Sequence, residues 1–150
     1  MKNTPAELDA LVRKTVYDSI LTRGEVPQKS ALAAQMGLAP DEVSESFQRL
    51  ADAHVLVLGA DGEVRMANPF SAAATRFKVR AGTDEWWANC IWDALGVGVM
   101  IRREAVVESH CPDCGESLIL EVTQDGPRAS QAVAHFAVPA AQWWDDIVFT

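Results

Sequence analysis

The chain has 150 residues, 49% of them hydrophobic and 23% charged, which is the composition of a globular protein with one core or two small domains sharing one. The net charge of −8 argues against nonspecific binding to nucleic acid or to an anionic membrane. No apolar run approaches the roughly 18 residues that a membrane span needs, and the N-terminus lacks a signal-peptide pattern. The three cysteines, an odd number, suit a reducing compartment, so a cytoplasmic location is expected.

The N-terminal region has the pattern of three helices followed by a β-hairpin. The spacing of apolar residues predicts helices over 5–23, 30–36 and 40–53. Two short apolar runs, 55–58 and 63–66, flank a Gly-Ala-Asp-Gly turn that is typical of a hairpin. This order of elements predicts a winged-helix-like domain over residues 1–67.

The charge of this region argues against a DNA-binding role. Residues 1–70 carry seven basic and ten acidic side chains, a net charge of −3. The third helix, which would enter the major groove, begins with Asp41 and Glu42 and has only Arg49 as a base. Such a surface repels phosphates, so a structural or substrate-covering role is favoured and nucleic acid is not expected as a partner.

The remainder of the chain predicts an α+β arrangement: a connector over 68–83 and then a domain over 84–150. A central helix is predicted over 84–95, with Gly96 and Gly98 breaking it. A mostly antiparallel sheet is expected to pack on that helix. Its strands are predicted at 105–108, 117–123, 131–138 and 146–150.

Cys90 and Asp93 are the strongest candidates for chemistry. At a spacing of three residues on a helix, the thiol and the carboxylate share one face. The apolar surroundings disfavour the ionised carboxylate, so Asp93 is expected to have a raised pKa and to carry a proton. A soft sulfur beside an acid suits a soft electrophile whose leaving group needs a proton. The alternative is structural: a small buried cysteine and a capping or solvent-facing carboxylate.

Several segments together resemble the alkylmercury lyase (organomercurial lyase) family. The resemblance runs from the N-terminal region to Thr150, and each segment alone is weaker evidence than the combination. The matching segments are Ala-Asn-Pro-Phe-Ser at 67–71, Asn-Cys-Ile-Trp-Asp-Ala-Leu-Gly at 89–96, Val-Val-Glu-Ser at 106–109, His-Cys at 110–111 and Gly-Glu-Ser-Leu at 115–118.

The resemblance implies cleavage of carbon–mercury bonds by protonolysis, which gives a hydrocarbon and Hg(II) and serves mercury resistance. Cys90 would then be the first mercury-binding thiolate and Asp93 the proton shuttle. The tryptophans Trp86, Trp87 and Trp92 would form a substrate pocket, or they are simply core aromatics. No resident cofactor is expected. External small thiols would release the Hg(II), with a possible hand-off to a mercuric reductase.

The chain departs from the family pattern at the second catalytic cysteine. In the family this residue follows a strand like 146–150, where this chain stops. Either the domain is shortened before that cysteine, or Cys111 or Cys114 substitutes as a mercury ligand. Cys111 and Cys114 also form half of a zinc-type Cys-x-x-Cys motif, or a turn with incidental cysteines. Two other functions therefore stay open: a noncatalytic thiol-based mercury or metal binder, and a winged-helix regulator.

Overall fold

The computed structural model describes residues 3–148 and has an α+β fold, in which three helices precede two antiparallel sheets and a fourth helix. The helices are α1 (Pro5–Arg23), α2 (Lys29–Met36), α3 (Pro40–Asp52) and α4 (Ile91–Ile101), with a short 3₁₀ helix at Ala140–Asp145. The strands are β1 (Leu56–Leu58), β2 (Val64–Ala67), β3 (Phe70–Ser71), β4 (Lys78–Ala81), β5 (Asp84–Trp87), β6 (Ala105–His110), β7 (Ser117–Thr123) and β8 (Gly126–Pro127).

The first three helices and the hairpin lie where the sequence predicts them. Helix α1 begins with a capping box, in which the Thr4 hydroxyl accepts from the Glu7 N–H and the Glu7 carboxylate accepts from the Thr4 N–H. It ends at Gly24, whose φ of 73° is readily adopted by glycine. Strands β1 and β2 pair antiparallel, which confirms the hairpin. Assignment of this region to the winged-helix class stays a prediction.

Helices α1 and α3 are joined by a charged hydrogen-bond cluster above their apolar contact. The Asp9 carboxylate accepts from the Arg49 guanidinium at 2.8 Å and from the Ser46 hydroxyl at 2.6 Å. These bonds, chiefly those from Arg49, lower the pKa of Asp9. Beneath them, Val16 and Phe47 are fully buried. These contacts fix the position of α1 relative to α3.

The predicted connector over 68–83 contains two strands, which is a correction to the sequence analysis. Phe70–Ser71 (β3) completes a three-stranded sheet in the order β1-β2-β3. Lys78–Ala81 (β4) pairs with β5 on one side and β6 on the other. The Asn68-Pro69 pair favours a turn, but the short strands that follow it are held by pairing with other strands, β2 for β3 and β5 and β6 for β4.

The predicted helix over 84–95 is also wrong in its bounds. Residues Asp84–Trp87 form strand β5, in register with Ala81 to Lys78 of β4, and helix α4 begins only at Ile91. Asp84 and Glu85 were read as acidic residues of a first helical turn, but Trp86 is buried and Glu85 exposed, as alternation along a strand requires.

Gly96 and Gly98 do not break helix α4, which continues to Ile101. Gly98 is placed where the helix approaches the sheet closely. A Cβ atom there would lie 2.9 Å from Val122 Cγ1 and 3.3 Å from Ala105 Cβ. Gly98 therefore serves close packing, and this need for a small residue overrides its low helix propensity.

The larger sheet has the strand order β5-β4-β6-β7-β8, and every pairing in it is antiparallel. Helix α4 packs on strands β4, β6, β7 and β8 of this sheet. The predicted antiparallel sheet on a central helix is thereby confirmed. Strand β7 has its predicted bounds, whereas β6 extends two residues further, to His110.

The two predicted C-terminal strands are not observed among the described residues. Residues 131–138 form no strand, and Val133 is 88% exposed. Residues 146–148 are likewise not a strand, and 149–150 lie outside the described part of the chain. Their apolar composition favours strands, but a strand also needs a partner edge. The segment instead packs through Trp144, whose indole stacks on His54 with centroids 4.0 Å apart.

One continuous core joins the helical region to the large sheet. The buried set runs from Val12 in α1 to Val122 in β7. Trp86 lies within it and donates its indole N–H to the Ile20 carbonyl at 2.9 Å. The predicted domain bounds, 1–67 and 84–150, stay a prediction.

Candidate active site

Cys90 lies at the junction between the large sheet and helix α4. It has an extended backbone, with φ of −145°, and is the N-cap residue of the helix. Its sulfur accepts a hydrogen bond from the Asp93 N–H at 3.5 Å, in the manner of a capping side chain. The sequence therefore brings the thiol to the positive end of a helix rather than to the helix face expected from the i,i+3 spacing.

Asp93, in the first turn of α4, directs its carboxylate at the Cys90 thiol. Burial is the largest influence on both groups, and it raises the pKa of each. The two side chains also interact directly, which raises the pKa of Cys90 further and lowers that of Asp93. The raised pKa expected for Asp93 is thus present, and the free Cys90 holds its proton more tightly than an exposed cysteine.

An asparagine pair holds the Asp93 carboxylate on its other side. The Asn89 amide donates to Asp93 Oδ2 at 3.1 Å and to Asn68 Oδ1 at 3.1 Å. The Asn89 backbone N–H donates to the Pro69 carbonyl at 3.3 Å. The Asn89 Oδ1 atom is buried and has no hydrogen-bond partner. The segment that carries Asn68 and Pro69 is therefore part of the site and positions the acid.

Tyr17 brings helix α1 to the same site. Its hydroxyl donates to the Asn68 carbonyl at 2.7 Å, and its ring lies edge-on to Phe70 at 6.4 Å. Burial raises the pKa of Tyr17, and the negative charge of Asp93 raises it further. The sequence analysis missed Tyr17. Its only local signal is a tyrosine beside the apolar stripe of α1, and nothing local pairs it with a residue fifty positions away.

The three predicted pocket tryptophans do not form one wall. Trp86 is 3% exposed and belongs to the core, so the alternative interpretation holds for it. Trp87 follows on the strand and points to the other face, where the Lys78 ammonium lies 5.6 Å from its ring centroid. Trp92 is 64% exposed, on α4 between Cys90 and Asp93 in sequence. Trp92 is the member of the three that neighbours the thiol without being part of the core.

Cys111 and Cys114 lie in a tight turn between β6 and β7, which we call the dithiol turn (residues 111–115). The Gly115 N–H donates to the Cys111 carbonyl at 2.9 Å, and Gly115 has a φ of 75°. The backbone N–H groups of Cys114 and Asp113, together with the Cys114 thiol, point at the Cys111 sulfur and lower its pKa. Cys114 is exposed and Cys111 partly so.

The predicted mercury ligands fall into two places. Within residues 3–148, no three His, Cys, Asp or Glu side chains come close enough to hold one metal ion together. Cys90 therefore does not join Cys111 and Cys114 in a single cluster, and His110 does not complete one.

Within residues 3–148, no helix is long and apolar enough to cross a membrane.

Comparisons with known proteins agree with the fold and the sequence motifs. A family model described as alkylmercury lyase (MerB) matches residues 70–150. The crystal structure of the mercury-bound form of MerB2 is similar in fold, with a TM-score of 0.63 and 21% sequence identity. The match covers 82% of this chain and 59% of that one. A comparison with curated protein sequences gives no significant match.

Proposed function

Because the chain belongs to the alkylmercury lyase family, we propose that it cleaves carbon–mercury bonds by protonolysis, which yields a hydrocarbon and Hg(II). The observation that carries this proposal is the direct contact between the Cys90 thiol and the Asp93 carboxylate at a half-buried helix start. One soft ligand and one acid, placed side by side, are the two groups that the reaction needs on the protein.

In the first step, Cys90 binds the mercury atom of the organomercurial. Thiolate is a soft ligand and mercury a soft metal, so a new Hg–S bond to Cys90 forms readily, and the small thiolate that mercury arrived with departs. The proton of the Cys90 thiol passes to the neighbouring Asp93 carboxylate. The high pKa of free Cys90 is no obstacle, since the metal displaces the proton as it binds.

In the second step, Asp93 returns that proton to the carbon atom. The C–Hg bond breaks, a C–H bond forms, and mercury stays on sulfur as Hg(II). Burial favours the protonated carboxyl, so the proton stays on Asp93 until the carbon atom accepts it. An external small thiol supplies the second sulfur ligand and then releases Hg(II) from Cys90. No oxidation or reduction takes place.

Helix α1 and the Asn68–Asn89 pair hold the acid in position during these steps. Asn89 donates to one carboxylate oxygen, so the other is left for the thiol. The charge of the N-terminal region is unfavourable for DNA, and the Tyr17 bond to Asn68 favours a role in completing the site. The working partners proposed are an organomercurial and, for the product, a mercuric reductase, in the cytoplasm.

A noncatalytic mercury binder is the second candidate, and one observation favours it. In the described part of the chain, no group of three metal-binding side chains forms around Cys90. A single protein thiol can hold an organomercurial without activating its C–Hg bond enough for protonolysis. A winged-helix regulator finds no such support.

Hydrocarbon release separates these functions. The full chain is incubated with phenylmercury and excess monothiol, and benzene is measured in the headspace by gas chromatography. The lyase predicts repeated turnover by the wild type and none by Cys90→Ser. Asp125→Asn, an exposed carboxylate in the β7–β8 turn, is the control and should behave as the wild type. Stoichiometric mercury binding by the wild type without benzene would establish the binder instead.

A further inference from the structure

We propose that the dithiol turn is a second mercury site, which holds inorganic Hg(II) between Cys111 and Cys114, apart from Cys90. The proposal rests on the proposed function only for the origin of the ion, since protonolysis produces Hg(II). The binding itself follows from the turn and requires no catalysis.

The turn places two thiols side by side. Cys111 and Cys114 stand three residues apart in the same short turn, and their side chains lie close enough to interact. The turn is closed by Gly115 N–H to Cys111 carbonyl at 2.9 Å and by Cys111 N–H to Glu116 carbonyl at 2.8 Å. The hairpin register of His110 with Ser117 fixes its base. Both sulfurs are therefore held in one place before any ion arrives.

The number of ligands selects the class of metal. Zinc in structural sites takes four protein ligands, and no third His, Cys, Asp or Glu joins the pair within residues 3–148. Hg(II) is satisfied by two thiolates in a nearly linear arrangement, and its softness favours sulfur over the nearby carboxylate of Asp113. A two-thiol turn therefore suits Hg(II) better than zinc.

The transfer is a ligand exchange that conserves atoms and electrons. Hg(II) arrives bound to two thiolates, either two small thiols or Cys90 and one small thiol. Each new Hg–S bond to Cys111 or Cys114 breaks one of these bonds. The proton that leaves the protein thiol passes to the departing thiolate. Because the second bond forms within one turn, its effective concentration is high, and the pair outcompetes separate monothiols.

Equilibrium dialysis against inorganic Hg(II), buffered by excess monothiol, tests the site without any organomercurial. Cys90→Ser should retain one tightly held Hg(II) per chain. Adding Cys114→Ser to that variant should weaken binding by at least about 100-fold, the lower end of the gain from linking two ligands. The Cys90→Ser variant is the matched control, because the same substitution is made at a thiol outside the turn.

Two results would overturn the proposal. One is unchanged Hg(II) affinity when Cys114→Ser or Cys114→Ala is added, with circular dichroism showing a folded chain. The other is loss of the tightly held ion in Cys90→Ser alone. Failure of the lyase reaction is seen separately, as absence of benzene from phenylmercury, and leaves this binding measurement unaffected.

Discussion

In both thiol regions backbone N–H groups lie near a cysteine sulfur, but the pKa of Cys90 is raised and that of Cys111 is lowered. At Cys90, the N–H groups of Asp93 and Trp92 point at the sulfur, yet burial raises its pKa. In the dithiol turn, the N–H groups of Cys114 and Asp113 point at the Cys111 sulfur, and its pKa is lowered. Backbone N–H donors stabilise the thiolate at both cysteines. At Cys90 the effect of desolvation on the pKa is larger than theirs, whereas at Cys111 it is smaller.

This difference suits the two regions to different tasks. A buried thiol that keeps its proton can pass it to a neighbouring acid when mercury binds, which is what protonolysis requires. A partly exposed thiol with a lowered pKa, as at Cys111, exchanges ligands readily with small thiols, which suits storage or transfer of the product.

Alkylation rates test the contrast directly. At neutral pH, Cys111 should react with iodoacetamide faster than Cys90, because the thiolate is the nucleophile and the pKa is lowered at Cys111 and raised at Cys90. Peptide mass spectrometry of samples quenched over time gives both rates in one chain. In denaturant the two rates should converge. A faster reaction at Cys90 than at Cys111 in the folded chain would contradict the proposed difference between the two thiols.

Substitution of Gly98 tests how closely α4, the helix that begins after Cys90, packs on the large sheet. Gly98→Ala should destabilise the fold by about 1–3 kcal/mol, because the new Cβ meets Val122 at 2.9 Å. Gly96→Ala, which meets nothing within 4 Å, is the control and should stabilise the helix by roughly 0.5–1 kcal/mol. Urea unfolding measures both changes, and equal effects would show that α4 does not pack as described.

Asn89 tests the positioning of the acid. Asn89→Ala should slow benzene release from phenylmercury about tenfold, since one hydrogen bond to a charged group is worth roughly 1.5 kcal/mol or more. The loss should fall on kcat more than on KM. Gln48→Ala removes an exposed amide from α3 and should leave the rate unchanged. Unchanged kcat in Asn89→Ala would remove this residue from the site.

The pH dependence of stability gives the smallest effect. The pKa of Asp93 is raised in the folded chain, so its contribution to stability is full below the unfolded pKa and is lost as pH rises through the folded value. Asp93→Asn should therefore be more stable than the wild type at pH 7, by up to about 1 kcal/mol, and the gain should vanish in acid. Thermal melts across pH test this.

Asp9 is the control with the opposite sign. Its pKa is lowered, so its contribution is present above the unfolded pKa and is lost as pH falls. Asp9→Asn should lower Tm at pH 7, and its difference from the wild type should close in acid. A loss of stability at pH 7 in both variants would mean that folding lowers the pKa of Asp93 instead of raising it.

Local patterns predicted the elements that depend on local forces. Helix α1, the β1–β2 hairpin and strand β7 follow from capping, turn chemistry and alternation within a few residues. Strand β5 was misread as helix because acidic residues before an apolar run fit both structures. Its pairing with β4 decides the matter, and that pairing cannot be read from one segment alone.

The candidate site shows the same division. The spacing and apolar neighbours of Cys90 and Asp93 made them candidates, and the family resemblance gave them their predicted roles. The Tyr17 bond to Asn68 spans 51 positions, and the Asn68 bond to Asn89 spans 21, so neither leaves a local trace. The prediction of a pocket of three tryptophans placed them all on one helix. Trp86 and Trp87 instead lie on strand β5 and point to opposite faces of the sheet.

The most direct test of the account is benzene release from phenylmercury by Asp93→Asn, with excess monothiol and the wild type measured alongside. Asparagine keeps the shape of the side chain but cannot carry the proton. We expect turnover by the wild type and a rate about 10²–10⁴-fold lower in the variant, the usual contribution of a general acid. Equal benzene release by the two proteins, or none by the wild type, would contradict it.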